Sequence, residues 1–273
     1  MRALAELDAR AVRAVLVDID ETLTTAGKLT GDAYAALERL HAAGKIVVPV
    51  TGRPAGWCDH IARMWPVDAV VGENGAFYFF YSESRLHKRF LDDSPSRAQQ
   101  RARLDAVARR ILAEVPGCAL AADQPYRETD LAIDYCEDVP PLPLAAAERI
   151  AALMREAGLN AKISSIHVNG WFGGHDKLST SRILFDERFG LDLDRSNREF
   201  LFVGDSPNDA TMFAFFQNSV GVANVRRFEG RLAAAPKYVT RGASGAGFVE
   251  LAEHLLQGSR PGACPKDAGI AAA

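Results

Sequence analysis

The sequence predicts an α/β fold, a doubly wound parallel sheet interrupted by an inserted α+β unit. Three observations carry that expectation. Short apolar runs end in Asp18, in Thr51 and in Gly204-Asp205, and read as buried strands meeting their loops. Helical patterns alternate with these runs, as parallel strands joined by right-handed crossovers require. Between the two halves of the alternation, from about Ser82 to Gly174, the style changes, and the core-like pattern resumes only afterwards.

Taken in order, Ala14-Val15-Leu16-Val17 and Lys45 to Val50 are the first two strands. Between them, Tyr34, Leu37, Leu40 and His41 recur at helical spacing within Asp32 to Ala43, and Gly44 stops the helix. A second helix follows Pro54 to Trp65, then a strand at Ala69-Val70-Val71. The Asn74-Gly75 step before the apolar run Ala76 to Tyr81 reads as a hairpin turn. The inserted stretch shows a helix at Arg97 to Glu114, extended segments at Cys118 to Ala122 and Asp130 to Tyr135, a proline-rich turn at Pro140 to Pro143, a helix at Ala145 to Ala157 and an extended segment at Ala161 to Val168. The core pattern then returns with a helix at Lys177 to Phe189, a buried strand at Glu199 to Val203, the loop Gly204 to Asp209, a helix through Phe216, and a strand at Ser219 to Val222. A short strand near Tyr238-Val239 and a helix from Gly247 to Leu256 close it. The expected organisation is a core of residues 1–81 and 175–257, an inserted domain at 82–174 and a flexible tail at 258–273.

Composition narrows the function. A hydrophobic content of 48% with 25% charged residues is an ordinary globular mix, which sets aside disorder, collagen and coiled coils. Lys plus Arg number 32 against 35 Asp plus Glu, so no basic field attracts nucleic acid. No apolar run approaches the roughly 20 residues that span a bilayer, and the acids near the start do not suit a signal peptide, so no membrane and a cytoplasmic location are expected. Cys58, Cys118, Cys136 and Cys264 lie far apart without a CxxC pair, and read as free thiols rather than a zinc site or disulfide framework.

The chemistry sits at strand ends. Asp18 and Asp20 follow the first strand, and open α/β sheets place ligands outside the carboxyl ends of their strands. Asp205 follows a later apolar strand and joins them, with Asn208 and Asp209 further along the same loop. Like charges about 4 Å apart repel by on the order of 4 kcal/mol at an effective dielectric near 20, so such a cluster calls for a cation. Oxygen ligands without His or Cys favour a hard ion, and an open carboxylate cluster suits Mg²⁺. Thr51 ends the second strand with a hydroxyl and backbone amides, and Lys177 starts the helix after the insertion.

The ordered set Asp18-Ile19-Asp20-Glu21-Thr22, Thr51-Gly52-Arg53, Lys177 and Gly204-Asp205-Ser206-Pro207-Asn208-Asp209 resembles the haloacid dehalogenase-like superfamily of phosphohydrolases, across the whole core. The position of the insertion and Asn74-Gly75-Ala76 resemble the type IIB cap subgroup, which includes Cof-type sugar phosphatases and sucrose-phosphate phosphatase. The resemblance implies a Rossmann-like core and hydrolysis of a small phosphorylated metabolite, a sugar phosphate first among them. In the implied mechanism Asp18 is the nucleophile and Asp20 the general acid and base, and Mg²⁺ is held by Asp18, Asp205 and the backbone carbonyl of Asp20. Thr51 and Lys177 bind and neutralise the phosphoryl group, Asp209 and Asn208 support the site, and Gly52, Arg53, Asn74 and Arg127 lie toward phosphate or substrate. Arg127, Glu128, His167, Asn169 and Trp171 are the insertion's candidates for reading the leaving group. A phosphomutase and a catalytically silent phosphate-binding regulator are the alternatives, with a monomer or homodimer expected.

Overall fold

The computed structural model describes residues 1–164 and 166–258. Its strands and helices are, in order, β1 (Arg2–Ala3), β2 (Ala14–Val17), α1 (Gly31–Ala42), β3 (Ile46–Pro49), α2 (Ala55–Met64), β4 (Val70–Gly72), β5 (Phe77–Ser82) and β6 (Arg85–Phe90). There follow α3 (Ser94–Glu114), β7 (Ala119–Leu120), β8 (Asp130–Asp134), α4 (Leu144–Glu156), β9 (Asn160–Ile163), β10 (His167–Trp171) and α5 (Lys177–Phe189). The chain ends with β11 (Phe200–Gly204), α6 (Ala210–Phe215), β12 (Asn218–Gly221), β13 (Tyr238–Val239) and α7 (Ser244–Gly258). Among the described residues, contacts gather these into two compact units, one of residues 1–49, 65–68 and 190–258, the other of 50–64 and 69–189.

The first unit is the expected doubly wound sheet. Six strands lie in the order β1-β13-β12-β11-β2-β3, every neighbouring pair parallel. Val15, Val17, Leu201 and Val203 enter one core with Leu37 and Leu40 of α1 and Phe248 and Leu251 of α7. Phe202, alternating with Leu201 and Val203, faces the other way and packs on Phe213 of α6 and on Phe216. Apolar residues on both faces are what a sheet covered on both sides demands. Thr30 caps α1 through its hydroxyl, which accepts from the Ala33 amide.

The second unit holds two antiparallel sheets, β4-β5-β6 and β7-β8-β10-β9. Its own core joins Leu104 and Ile111 of α3, Leu131 and Ile133 of β8, and Ile150 and Met154 of α4. The Asn74-Gly75 hairpin forms as expected, with Gly72 opposite Phe77. The strand expected at Ala69 to Val71 forms as β4, which pairs antiparallel with β5 and meets Val50 through a parallel bridge at Val71. Two expectations need correction. The single extended run Ala161 to Val168 is a hairpin of β9 and β10, Val168 opposite Ile163. β6 also has no counterpart in the sequence reading, because the turn before it is Glu83-Ser84, both at positive φ of 51° and 60°, without the Asn-Gly or Asp-Gly signature.

The unit limits therefore differ from the expected limits of 82 and 174. The 81/82 division falls inside the β5–β6 hairpin, where Ser82 pairs with Arg85. α5 is tied back to the Asn74-Gly75 turn, its Thr180 hydroxyl donating to the Gly75 carbonyl. The expected tail lies outside the described residues apart from Gly258, and Cys264 lies outside them too, while Cys58, Cys118 and Cys136 are free thiols. Among the described residues no helix is long and apolar enough to cross a membrane.

Candidate active site

Asp18 is the first residue after β2, and its amide extends the ladder by donating to the Val203 carbonyl at 3.0 Å. Val17 lies opposite Val203, so Asp18 and Asp205 leave the same end of two adjacent strands. From β2 the chain passes to β3 on one side, and from β11 to β12 on the other. A crevice opens where strand order reverses in this way. The loop after Asp205 turns back through Pro207–Asp209, and Asp209 Oδ2 accepts from the Asp205 amide at 3.1 Å. A Cβ on Gly204 would stand 2.3 Å from that oxygen, so a side chain there would displace Asp209.

One carboxylate oxygen from each of Asp18, Asp205 and Asp209 lies within 4.8 Å of the others, and all three residues are buried. The set is purely oxygen, which fits a hard divalent cation and not a soft one. Asp209, expected as a supporting acid, thus stands inside the cluster. Asp20 is half-buried and its side chain is not part of the cluster, and Asn208 is half-buried on the turn.

Asn224 was missed by the sequence reading. Its Nδ2 donates to Asp205 Oδ2 at 3.1 Å and to the Glu21 carbonyl at 3.0 Å, and its Oδ1 accepts from the Ser244 amide at 2.9 Å. Buried and held at three points, it orients Asp205. The available signal was an asparagine two residues beyond the apolar run Val220 to Val222.

In the second unit Thr51, Gly52 and Arg53 form a loop whose backbone is held from the 70s. The Thr51 amide donates to Val71, the Thr51 carbonyl accepts from Asn74, and the Arg53 carbonyl accepts from Glu73. The Thr51 hydroxyl is fully buried and accepts from the Arg53 amide at 3.0 Å. Asn74, at a positive φ of 56° that asparagine tolerates better than most residues, packs its side chain against Gly52. Its Nδ2 is buried and has no hydrogen-bond partner among the described residues. Lys177 opens α5, buried, beside the same turn: a Cβ on Gly75 would stand 2.1 Å from the Asp176 carbonyl and 3.0 Å from the Lys177 nitrogen.

Behind this loop lies a buried network of charge. Arg127 donates through Nε and Nη2 to both oxygens of Asp123, at 2.9 and 3.0 Å, and through Nη1 to Asp130 and to the Gly52 carbonyl at 3.0 Å. Burial works against its charge, but Asp130 and Asp123 more than offset this and raise its pKa. Arg53 lies 3.5 Å from Asp123 and 3.2 Å from Glu137, over the Trp57 ring. Glu73, fully buried, accepts at Oε1 from the amides of Ala55 and Glu128 and at Oε2 from Thr129 and Asp130. Burial, and then the charge of Asp130, push its carboxyl up to about 7. Glu137 is held down at about 2, first by His167, whose Nε2 lies 2.8 Å away, and also by Arg53.

The insertion's expected substrate readers mostly turn inward. Asn169 donates to Asp130 at 3.1 Å, Trp171 donates to the His175 carbonyl at 3.1 Å, and Arg127 and His167 serve the network just described, while the Glu128 side chain is exposed. Glu73, Asp123 and Asp130 were not singled out from sequence, since isolated acids in loops and strands carry no spacing pattern.

A parallel doubly wound sheet with buried acids at the exit of two adjacent strands is the arrangement of an α/β fold with a charged crevice. Residues 15–99 match the family model of the haloacid dehalogenase-like hydrolases. Over 256 residues the chain is 31% identical to the phosphoglycolate phosphatase of Pyrobaculum neutrophilum, covering 92% of this chain and 98% of that one. In fold it is similar to a Thermoplasma acidophilum protein (TM-score 0.69, 17% identity, 90% and 98% of the two chains) and to the sucrose-phosphatase of Synechocystis, solved with sucrose and phosphate (TM-score 0.62, 14% identity, 90% and 98%). The chain belongs to the haloacid dehalogenase-like hydrolases. Its enzymatic class is that of a phosphatase.

Proposed function

We propose that the protein is a Mg²⁺-dependent phosphatase that hydrolyses a small phosphorylated metabolite through an aspartyl-phosphate on Asp18. The observation that carries this reading is the buried cluster of Asp18, Asp205 and Asp209 at the exit of adjacent strands. Mg²⁺, held by Asp18, Asp205 and the Asp20 carbonyl with Asp209 at the same cluster, would supply a Lewis acid and a template for the phosphoryl oxygens.

The residues divide the work as follows. The Asp18 carboxylate attacks phosphorus, a phosphorus–oxygen bond forms, and the bond to the leaving alkoxide breaks. Asp20 gives its proton to that alkoxide. It then takes one from the water that attacks the aspartyl-phosphate, and breakage of the bond to Asp18 frees inorganic phosphate. The Thr51 hydroxyl, which already accepts from Arg53, keeps its own proton to donate to a phosphoryl oxygen, and Lys177 offsets the negative charge. The unpartnered Nδ2 of Asn74 supports a role for that residue toward phosphate or substrate. Arg53, Gly52 and Arg127 line or support the same loop, and the inserted segment 82–174 carries the choice of leaving group.

Within small phosphorylated metabolites, phosphoglycolate stands first because the relative of that name matches nearly the whole chain. Sugar phosphates follow. The test is phosphate release from phosphoglycolate, sugar phosphates, nucleotides and p-nitrophenyl phosphate, with Mg²⁺ and with EDTA. Metal-dependent release, highest in kcat/KM on phosphoglycolate, is expected. Equal release in EDTA would remove the metal from the reaction, a requirement for a bisphosphate activator would reveal a mutase, and silence on every monoester would leave a regulator.

A further inference from the structure

The backbone of the loop carrying Thr51 is held at nearly every polar group from 51 to 55. The Thr51 amide and carbonyl and the Arg53 carbonyl are fixed by main-chain groups of 71–74. The Arg53 amide donates to the Thr51 hydroxyl within the loop, and two side chains anchor it from outside: Arg127 Nη1 on the Gly52 carbonyl at 3.0 Å, and Glu73 Oε1 on the Ala55 amide at 2.9 Å. Neither side chain is free to serve the loop alone. Glu73 also takes the amides of Glu128, Thr129 and Asp130, and Arg127 is clamped by Asp123 and Asp130. The start of β8, an interior strand of the four-stranded sheet, is thus bound to the loop through one buried carboxylate and one buried guanidinium.

We propose that Glu73 and Arg127 are positioning residues for the phosphoryl-binding loop, which they lock to residues 127–130 so that Thr51 and the start of β8 keep one fixed geometry. The inference rests on the reading of Thr51 as a phosphoryl ligand. It reassigns Arg127 from contacting substrate to holding the group that does, since each of its nitrogens already has a protein acceptor. A displacement of about 1 Å in a group that meets the reacting phosphoryl can lower turnover about 100-fold, so the lock matters for rate more than for affinity to any one leaving group.

Glu73→Gln and Arg127→Lys, made singly in the full chain, test it. The Gln keeps one acceptor oxygen but places an amide group where the other received N–H groups. The Lys keeps the charge but loses the planar fork. Assayed well below each variant's melting transition, kcat per folded molecule falls about 10–100-fold, by the same factor on phosphoglycolate and on p-nitrophenyl phosphate. Hydrogen exchange at residues 50–56 quickens in the same variants, while α4 in the same unit stays as protected as in the parent. An unchanged kcat would overturn the proposal, and so would quickening spread evenly over loop and α4, which marks a merely structural role. A loss confined to one leaving group would return Arg127 to the substrate. If the parent releases phosphate from no monoester, the phosphatase reading is what fails, and the exchange measurement alone decides the lock. Either variant suffices should the other not fold.

Discussion

The two buried charged regions are built on opposite plans. At the exit of two adjacent strands of the parallel sheet three carboxylates are brought within 4.8 Å of one another by strand register, by a glycine and by a turn. In the second unit two guanidiniums are threaded among Glu73, Asp123, Asp130 and Glu137, each acid within hydrogen-bond or ion-pair distance of a partner. A cluster of like charge is held together by the fold, and its oxygen-only set fits a hard cation. A mixed network largely satisfies itself and holds backbone in place. On the proposed reading, the difference separates a region that reacts from a region that positions, although both are made of the same residue types.

The sharpest way to break that distinction is Asp18→Asn. Phosphate release falls by about 10⁴-fold or more, as losing a nucleophile does, while the melting temperature stays near that of the parent. Retained turnover would take Asp18 out of the reaction. Arg127→Ala tests the other region. It leaves Asp123 and Asp130 buried without their cation and costs about 3–5 kcal/mol of stability, read by urea unfolding, and a loss under about 1 kcal/mol would mean that the network holds little.

Next in size is the response to metal. Mg²⁺ at a hundred times its Kd stabilises the parent by about 2.7 kcal/mol through mass action, seen as a rise in melting temperature. Asp205→Asn loses most of that rise, whereas Asp123→Asn, in the mixed network, keeps it whole. An equal rise in all three would place the cation elsewhere.

The effects of pH come last, and the two acids of the second unit differ in sign. Glu73 titrates at about 7 in the fold against an ordinary 4.5, so its contribution to stability is fully present below about 4.5 and is lost as pH rises through about 7. Glu73→Gln flattens the melting temperature over that window. Glu137 titrates at about 2, so its contribution is present above about 4.5 and is lost as pH falls toward about 2. Glu137→Gln removes that part of the acid limb. A Glu73→Gln profile parallel to that of the parent between about 4.5 and about 7 would show that Glu73 is not the group titrating there.

Much of the first unit was legible in sequence because its signals are local. β2 at Ala14 to Val17 and α1 at Gly31 to Ala42 stand where apolar run and helical spacing put them, and the acids follow the strands they were expected to follow. The second unit was less legible. The β5–β6 turn uses Glu83-Ser84 in place of the usual signature, and β9 and β10 run together in sequence because the residues between them carry no glycine or proline.

By itself, then, the sequence determined the alternation of strand and helix and the order of Asp18, Thr51, Lys177 and Asp205, since each depends on a residue and its near neighbours. Only the tertiary structure decided that Asp209 folds into the acid cluster, that Asn224 orients Asp205 from nineteen residues away, and that Glu73 binds the Thr129 amide from fifty-six. It also decided that Arg127 turns inward toward Asp123 and Asp130. The physical reason is that a buried charge takes its role from whatever partners the fold brings within hydrogen-bond reach, and no pattern along the chain encodes partners so far apart.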